Sequence, residues 1–284
     1  MINMVERKVN LAIIGDLAYD QTITPKGNKK SLAGAVYNVA VAASTISNSE
    51  TVGVVARVGD DFQDGISALI QRGVNVEGIH VLIGGKTAIF TITQREDNTR
   101  ELSADLGVSE KVDTTIFPDS YKTAHYVHLA SSNPEKYLKW IPYLRKILSR
   151  DVVLSADAND LFIQNGIDAT VAALSAVDLA FINEIELAAI KVMYPDFQIS
   201  KPTILKKGPK GATYIDNQEG IIFTIEAPNV KVVDTSGAGD TLAGIFLASL
   251  SRGIRVQDAL KAGVEMASKT VTDFGVEHIN PLKS

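Results

Sequence analysis

The chain of 284 residues contains no cysteine. Disulfides, thiolate nucleophiles and thiolate metal sites are excluded, and the composition fits a reducing compartment. Histidine is scarce too, at four residues. His125 and His128 stand three apart in strand-like sequence and so face opposite ways, while His80 and His278 are remote, so no zinc pattern exists. There is no surplus of positive charge. The formal net charge is −5, which offers nucleic acid no general attraction. No apolar run approaches the ~20 residues of a membrane helix. Met1 to Asn10 carries Glu6, Arg7 and Lys8 without an apolar core, so no signal peptide is expected and the expected location is cytoplasmic. Several catalytic signatures are also missing. No Gly-x-Gly-x-x-Gly follows the first strand-like run, which argues against a dinucleotide-binding dehydrogenase. No Gly-x-Ser-x-Gly elbow supports a serine hydrolase. Gly85-Lys86-Thr87 imitates the end of a P-loop, but His80 stands where an earlier glycine is required, and a strand rather than a helix follows.

The chain does have apolar bulk, 45% of its residues, arranged in alternating short runs. Strands are expected over 9–14, 51–58, 79–83, 125–130, 152–156, 179–182 and 203–206, with shorter β segments at 212–216 and 221–225. Helices are expected over 33–45, 62–72, 134–148, 168–175, 183–193, 238–251 and 256–272. Repeated βαβ units imply a mostly parallel sheet with helices on both faces. Two stretches break the rhythm. Residues 17–32 read as polar and irregular, with Pro25, Gly27 and three lysines, and 87–93 with 100–103 read as a hairpin turning at Glu96 to Thr99. Together, as segments of about 17–32 and 86–104, they are expected to form a small β lid on one α/β domain spanning 1–284. An exposed lid edge suits pairing with a second copy.

Asp234-Thr235-Ser236-Gly237-Ala238-Gly239-Asp240 is the most informative stretch. Val230 to Val233 read as the end of a strand, and a helix of small and apolar residues begins at Ala238. At such a junction the N–H groups of Ala238, Gly239 and Asp240 point outward together, and the helix dipole adds roughly half a positive charge. This makes an anion site without a basic side chain. A carboxylate beside it suits phosphoryl transfer to a hydroxyl: the amides hold the charge developing on the moving group and Asp240 takes the alcohol proton. With a reference pKa of about 3.9, Asp240 is expected to be ionised at neutral pH. The plainer reading is an acidic residue capping a helix.

Three further signals lie near expected strand ends, where open α/β sheets bind ligands. Asn183-Glu184-Ile185-Glu186 places an Asn and a Glu on one helix face, with Glu186 able to order magnesium through its water shell. The same four residues also spell a capping box. Gly34 allows close backbone approach, while Asn38 and Asp20 offer hydrogen bonds to sugar hydroxyls; the alternative is loop and cap chemistry. Lys207-Gly208-Pro209-Lys210-Gly211 makes a tight turn, which beside a nucleotide would offer flat backbone to a base.

In combination these motifs resemble the ribokinase (PfkB) family of carbohydrate kinases. Asp234 to Asp240 resembles its C-terminal signature, Ala33 to Asn38 its N-terminal signature, Val58-Gly59-Asp60-Asp61-Phe62 with Leu69 and Gly73-Val74 the stretch between, and Asn183 with Glu186 its Asn-x-x-Glu motif. The resemblance covers nearly the whole chain in the family's order. It implies a three-layer α/β/α fold with a mostly parallel central sheet and a small β lid. It implies Asp240 as general base and Gly237, Ala238 and Gly239 as the anion hole. Asn183 and Glu186 would serve ATP and Mg2+, and Lys206, Gly208 and Gly211 would hold the nucleotide. Asp20, Gly34 and Asn38 would hold the acceptor. A K+ site, similar to one in several members, would use Asp234 and Ser236 with carbonyls near Thr270, Asp273 and Gly275. The chain also departs from the pattern. The N-terminal signature opens Ala33-Gly34 rather than Gly-Gly, and Ser131-Ser132 stand where ribokinases place a Glu. Asp157-Ala158-Asn159 matches the family's Asp-x-Asn, but Leu161 and Phe162 follow where sugar-acid members often carry an Arg. Tyr37 is a candidate to stack on a nucleoside ring, and Tyr37 with Ser132 to select the acceptor.

The expected function is ATP-dependent transfer of the γ-phosphoryl group to a hydroxyl of a sugar, nucleoside or polyol. The alternative is a catalytically weak sugar or nucleotide sensor on the same fold. The intact Asp240 argues against a sensor, which has no need of a base.

Overall fold

The computed structural model describes residues 8–24, 27–47, 51–94 and 100–279. The charged start of the chain, Pro25 with Lys26, and the turn Glu96 to Thr99 lie outside them, as do the side chains of Leu161 and Phe162. In chain order the elements are β1 (Leu11–Ile14), β2 (Ala18–Thr24), β3 (Gly27–Ala33), α1 (Ala35–Ser44), β4 (Val52–Gly59), α2 (Gln63–Gln71), β5 (Asn75–Leu82), β6 (Ala88–Gln94), β7 (Arg100–Asp105), β8 (Tyr126–Leu129), α3 (Pro134–Ile147), β9 (Val153–Asp157), α4 (Asp160–Ala176), β10 (Leu179–Asn183), α5 (Glu184–Met193), β11 (Thr203–Lys206), β12 (Ala212–Asp216), β13 (Ile221–Ile225), α6 (Ala238–Ser251) and α7 (Val256–Thr270).

Nine of these strands form one sheet in the order β13-β12-β11-β10-β9-β8-β1-β4-β5. The pairings from β11 across to β5 are parallel, and β12 and β13 are added antiparallel at the far edge. β1 lies inside this order, and all four of its residues are buried. That is why the run Leu-Ala-Ile-Ile carries no polar alternation. Helices cover both faces. On one face α1, α6 and α7 pack with Phe181, Phe246 and Tyr37 into the main core. On the other, α3 brings Tyr137, Trp140 and Leu144 against β8 and β9, and α4 and α5 cover β10. α1 and α6 touch so closely that a Cβ at Gly244 would lie 2.4 Å from the carbonyl oxygen of Val39. No helix among the described residues is long and apolar enough to cross a membrane.

A second sheet has the order β3-β2-β6-β7. Residues 17–32 are therefore not irregular: β2 and β3 form a hairpin whose inner strand pairs in parallel with β6. Local polarity hides these strands, and the inner one draws its second partner, β6, from elsewhere in the chain. The Lys30 ammonium lies 3.4 Å from the centre of the Tyr19 ring, so a charged residue covers an aromatic instead of marking a loop. The sheet is tied down at its inner end. Tyr19 donates to the Asp64 carboxylate at 2.5 Å, and the Asp61 carboxylate accepts from the Thr87 amide at 3.0 Å.

Other expectations need correction. Residues 230–233 form no strand; the chain has left β13, Val232 and Val233 are exposed, and the Val233 amide donates to the Val271 carbonyl at 2.7 Å. The helix expected at 168–175 begins earlier, as α4, and breaks its helical geometry at Gly166 (φ −146°, ψ 33°). Gly166 sits in the middle of the residues that sequence periodicity needed to join the two halves. β5 starts at Asn75 rather than at 79, because pairing with β4 extends it through a bulge.

Candidate active site

The stretch 234–240 enters α6 through Gly237, which is left-handed at φ 73°. Any other residue there would be strained, and a Cβ would lie 2.9 Å from Val276 Cγ1 and 3.1 Å from Asn38 Nδ2. Ala238, Gly239 and Asp240 form the first turn of α6, and the Thr241 amide closes back on the Gly237 carbonyl at 2.8 Å. The turn opens a largely buried helix, but the Ala238 amide is engaged, donating to the Thr235 carbonyl at 3.3 Å, so it does not point outward with those of Gly239 and Asp240 as expected.

Residues distant in sequence meet at this turn. Asn38, from the first turns of α1, donates its side-chain amide to Asp240 Oδ2 at 2.9 Å. Burial pushes the Asp240 carboxyl up to about 6; Asn38 lowers it, the charge of Asp157 raises it, Lys206 lowers it and Asp20 raises it. The ordinary carboxylate value expected from sequence is therefore too low, and the reason is the enclosure itself. Asp20 on β2 also rises to about 6, through burial and then through the negative charge of Asp234 across the gap. The small sheet and the turn thus face each other with acidic side chains. Gly34 caps α1 at φ 94°, and a Cβ there would lie 2.4 Å from the Asp16 carbonyl oxygen. The absence of a side chain at Gly34 is required by packing, whatever else it permits.

Asn183 and Glu186 form a complete capping box. The Asn183 amide donates to Glu186 Oε2 at 2.7 Å, and the Glu186 amide donates to Asn183 Oδ1 at 2.8 Å. Their side chains address each other's backbone, and Glu186 is buried. Gly211 is also fixed by packing, since a Cβ would lie 1.9 Å from the Ile225 carbonyl oxygen. Gly208, at φ 55°, has nothing within 4 Å of where a Cβ would stand and leaves the turn open. Asp234 bridges two loops: Oδ1 accepts from the Ser236 amide at 3.0 Å and Oδ2 from the Gly275 amide at 3.5 Å.

Lys206 does not extend toward the Gly208–Gly211 turn. Its ammonium donates to both oxygens of Asp157, at 2.6 and 2.8 Å, and lies alongside α6, 3.3 Å from where a Cβ of Gly239 would be. Burial works against its charge, yet Asp157, Glu186 and Asp240 together raise its pKa. The sequence marks Asp157 only as part of a matching motif and assigns it no role. The signal lay in strand register: β9 pairs with β10 through Asp157–Phe181, and β10 with β11 through Asn183–Lys206. All three polar residues therefore fall together at the strand ends.

Two expectations fail outright. Tyr37 is fully buried and donates to Glu277, which also accepts from Arg72 at 3.1 Å, so it stacks on no ligand. Ser132 is buried as well and donates to Asp16 at 2.5 Å, whose other oxygen accepts from the Lys136 ammonium at 2.7 Å. Sequence reading misses this closed cluster because Asp16 and Lys136 lie 120 positions apart. It also misses Tyr137, whose hydroxyl accepts from the Ser132 amide at 2.7 Å and lies 2.9 and 3.0 Å from the carbonyls of Ala130 and Asp157.

The architecture defines the class first. The nucleoside kinase of Methanocaldococcus jannaschii superposes with a TM-score of 0.81 at 20% identity, covering 96% of this chain and 95% of its own. A ribokinase of Cryptococcus neoformans in complex with ADP gives 0.80 at 18% identity, covering 96% and 97%. The fold is that of the ribokinase-like kinases. The sequence profile of the pfkB family carbohydrate kinases matches residues 2–283, and the chain belongs to that family. Its relatives include a cytidine kinase of Thermococcus kodakarensis, 26% identical across 94% of this chain and 98% of that protein. A ribokinase of Schizosaccharomyces pombe is 25% identical across 88% and 84%. The protein is a phosphotransferase, and ATP is the donor implied by its family.

Proposed function

We propose that this kinase transfers the γ-phosphoryl group of ATP to a hydroxyl of a sugar, nucleoside or polyol, with Asp240 as the general base. The observation that carries the assignment is Asp240 itself. It stands in the first turn of α6, oriented by Asn38 at 2.9 Å, just after the left-handed Gly237. The acceptor oxygen forms its bond to the γ-phosphorus as the bond to the β–γ bridging oxygen breaks. ADP leaves, and the hydroxyl proton passes to the Asp240 carboxylate. The amides of Gly239 and Asp240 supply donors for the charge that develops. Asp20, Asn38 and the backbone at Gly34 form the acceptor side, and Lys206 the phosphate side.

Magnesium, when bound with ATP, would spread charge over the phosphates. No group of three or more acidic or imidazole side chains among the described residues could hold a metal ion directly. That donor set fits an ion carried by the triphosphate and its waters, with Glu186 in the outer shell. The oxygens of Asp234 and Ser236, with carbonyls near Thr270, Asp273 and Gly275, fit a K+ ion, since Asp234 already draws the 273–275 loop to the turn. The Gly208 to Gly211 turn would lie along the nucleotide. The outermost strands of the small sheet, β3 and β7, are where two copies would join, which sedimentation of the intact chain tests.

ATP-to-ADP turnover with magnesium, with and without potassium, tests the proposal across cytidine, other nucleosides, ribose, hexoses and inositol. Cytidine comes first because the relative matched over 98% of its length is a cytidine kinase. One acceptor class should raise turnover tens of times over ATP hydrolysis alone, and Asp240→Asn should abolish the rise. Near-normal turnover in that variant would remove Asp240 from the role of base.

A further inference from the structure

Buried ion pairs are weak evidence of stability, because desolvating two charges offsets most of their attraction. The pair Asp157–Lys206 therefore needs another reason to exist. Asp157 is 1% exposed and offers Lys206 both oxygens. Lys206 is the cation that lies against the first turn of α6: its Nζ, Cδ and Cε all fall within 3.8 Å of a Cβ position at Gly239. A Cβ at residue 239 would meet the ammonium at 3.3 Å, a contact tight enough that the ammonium would have to give way. The glycine thus keeps Lys206 next to the amides that face the anion.

We propose that Asp157 is a positioning residue: it holds the Lys206 ammonium beside the first turn of α6, where Lys206 contacts the transferring phosphoryl group and sets the charge around Asp240. The inference rests on the assignment of Asp240 and its turn as the transfer site. Lys206 has three N–H donors, and a carboxylate that grips from below leaves the remainder facing the turn. Without Asp157, a flexible four-carbon stem has many other positions for its charge. The groups that act on Asp240 are Asn38 from α1, Asp157 from β9, Lys206 from β11 and Asp20 from β2. Tyr137 from α3 also lies within range of its charge.

The test compares Asp157→Asn, the double variant Asp157→Asn with Lys206→Met, and Asp240→Asn. Each is followed by kcat, acceptor KM and the pH profile of kcat/KM. Asp157→Asn should lower kcat roughly tenfold and the double variant roughly 10²-fold, with acceptor KM little changed. The pH profile adds a reading that a purely structural pair would not move. Neutralising Asp157 removes a negative charge near Asp240, so the acid limb should shift to lower pH. Removing Lys206 from that background takes away a positive charge, so the limb should shift back up. The double variant leaves no unpaired buried charge within the pair and should fold. If it keeps wild-type kcat, or if the acid limb stays in place in both variants while activity follows only the folded fraction by circular dichroism, the proposal is overturned. Failure of the underlying assignment would look different. Asp240→Asn would then retain turnover whatever the two other variants do.

Discussion

At the scale of single residues, two carboxyls, one in the 234–240 turn and one facing it, titrate above their ordinary range. Asp240 and Asp20 both sit at about 6, each mainly through burial. In the proposed mechanism Asp240 must be ionised to accept a proton, so kcat/KM is expected to fall as pH drops through about 6, as a pH–rate profile will show. Asp240→Asn is expected to lose roughly 10²–10⁴ in kcat with nucleotide affinity nearly kept, measured by turnover and by ADP titration. The same substitution has a stability signature. The fold raises the pKa of Asp240 from its ordinary value of 3.8 to about 6. Its protonated form therefore favours the fold fully below 3.8, and that contribution disappears as pH rises through 6. Asparagine is expected to raise stability at neutral pH by on the order of 1 kcal/mol, an effect reduced by the solvent-facing edge of the cleft. Thermal melts at about pH 7.5 and about pH 4 check this, since the gain should vanish at the lower value. Gly239→Val belongs here as well. With Lys206 Nζ 3.3 Å from the Cβ position, the branched side chain is expected to displace the ammonium and reduce kcat more than Tm.

At the scale of elements, α1 and α6 form the frame that joins Asn38 to Asp240. Their contact depends on Gly244, whose Cβ would meet the Val39 carbonyl at 2.4 Å. Gly244→Ala is expected to cost about 2–3 kcal/mol by chemical denaturation, because backbone rather than a flexible side chain must yield. It should also loosen Asn38, which lies one residue before Val39 on α1, so kcat should fall further than the folded fraction predicts. Periodicity made both helices legible, since each is a run of small apolar residues with clear ends. Strand β2 and its partner β3 were not legible as strands. Their pairing with each other and with β6 supplies the hydrogen bonds that local composition does not announce. The 230–233 run shows the reverse case. Its valines promise a strand, but no strand among the described residues pairs with them beyond the antiparallel edge.

At the scale of the whole molecule, the small sheet is held at its inner end by side-chain hydrogen bonds. Tyr19 binds Asp64, Thr87 binds Asp61, and the outer end reaches toward the opposite loop, with the Lys29 ammonium 4.8 Å from the Phe274 ring. Closure over ligand is therefore expected to be a bending of the outer halves of β2, β3 and β6, not a swing of the sheet. Hydrogen exchange with and without ATP and acceptor should show new protection in β3 and little change at Ala18 to Asp20. Protection gained equally along β2 would argue for a rigid-body swing. The segment after α7 packs against the Gly237 turn. Val276 stands beside Gly237, and Glu277 is held by Tyr37 and Arg72.

The sequence by itself determined the alternation of strands and helices, the glycine turn with its carboxylate at the start of α6, and the family those motifs resemble. These are local properties, readable from period, glycine placement and the order of a few residues. Only the tertiary structure decided which polar groups meet. It brought Asn38 and Asp240 together across 202 positions and Asp157 and Lys206 across 49. It also buried Tyr37 and Ser132 where an exposed, selective role was expected. The reason is that burial, register and close backbone approach depend on elements far apart in the chain, and the charge state of a buried carboxylate depends on all of them at once.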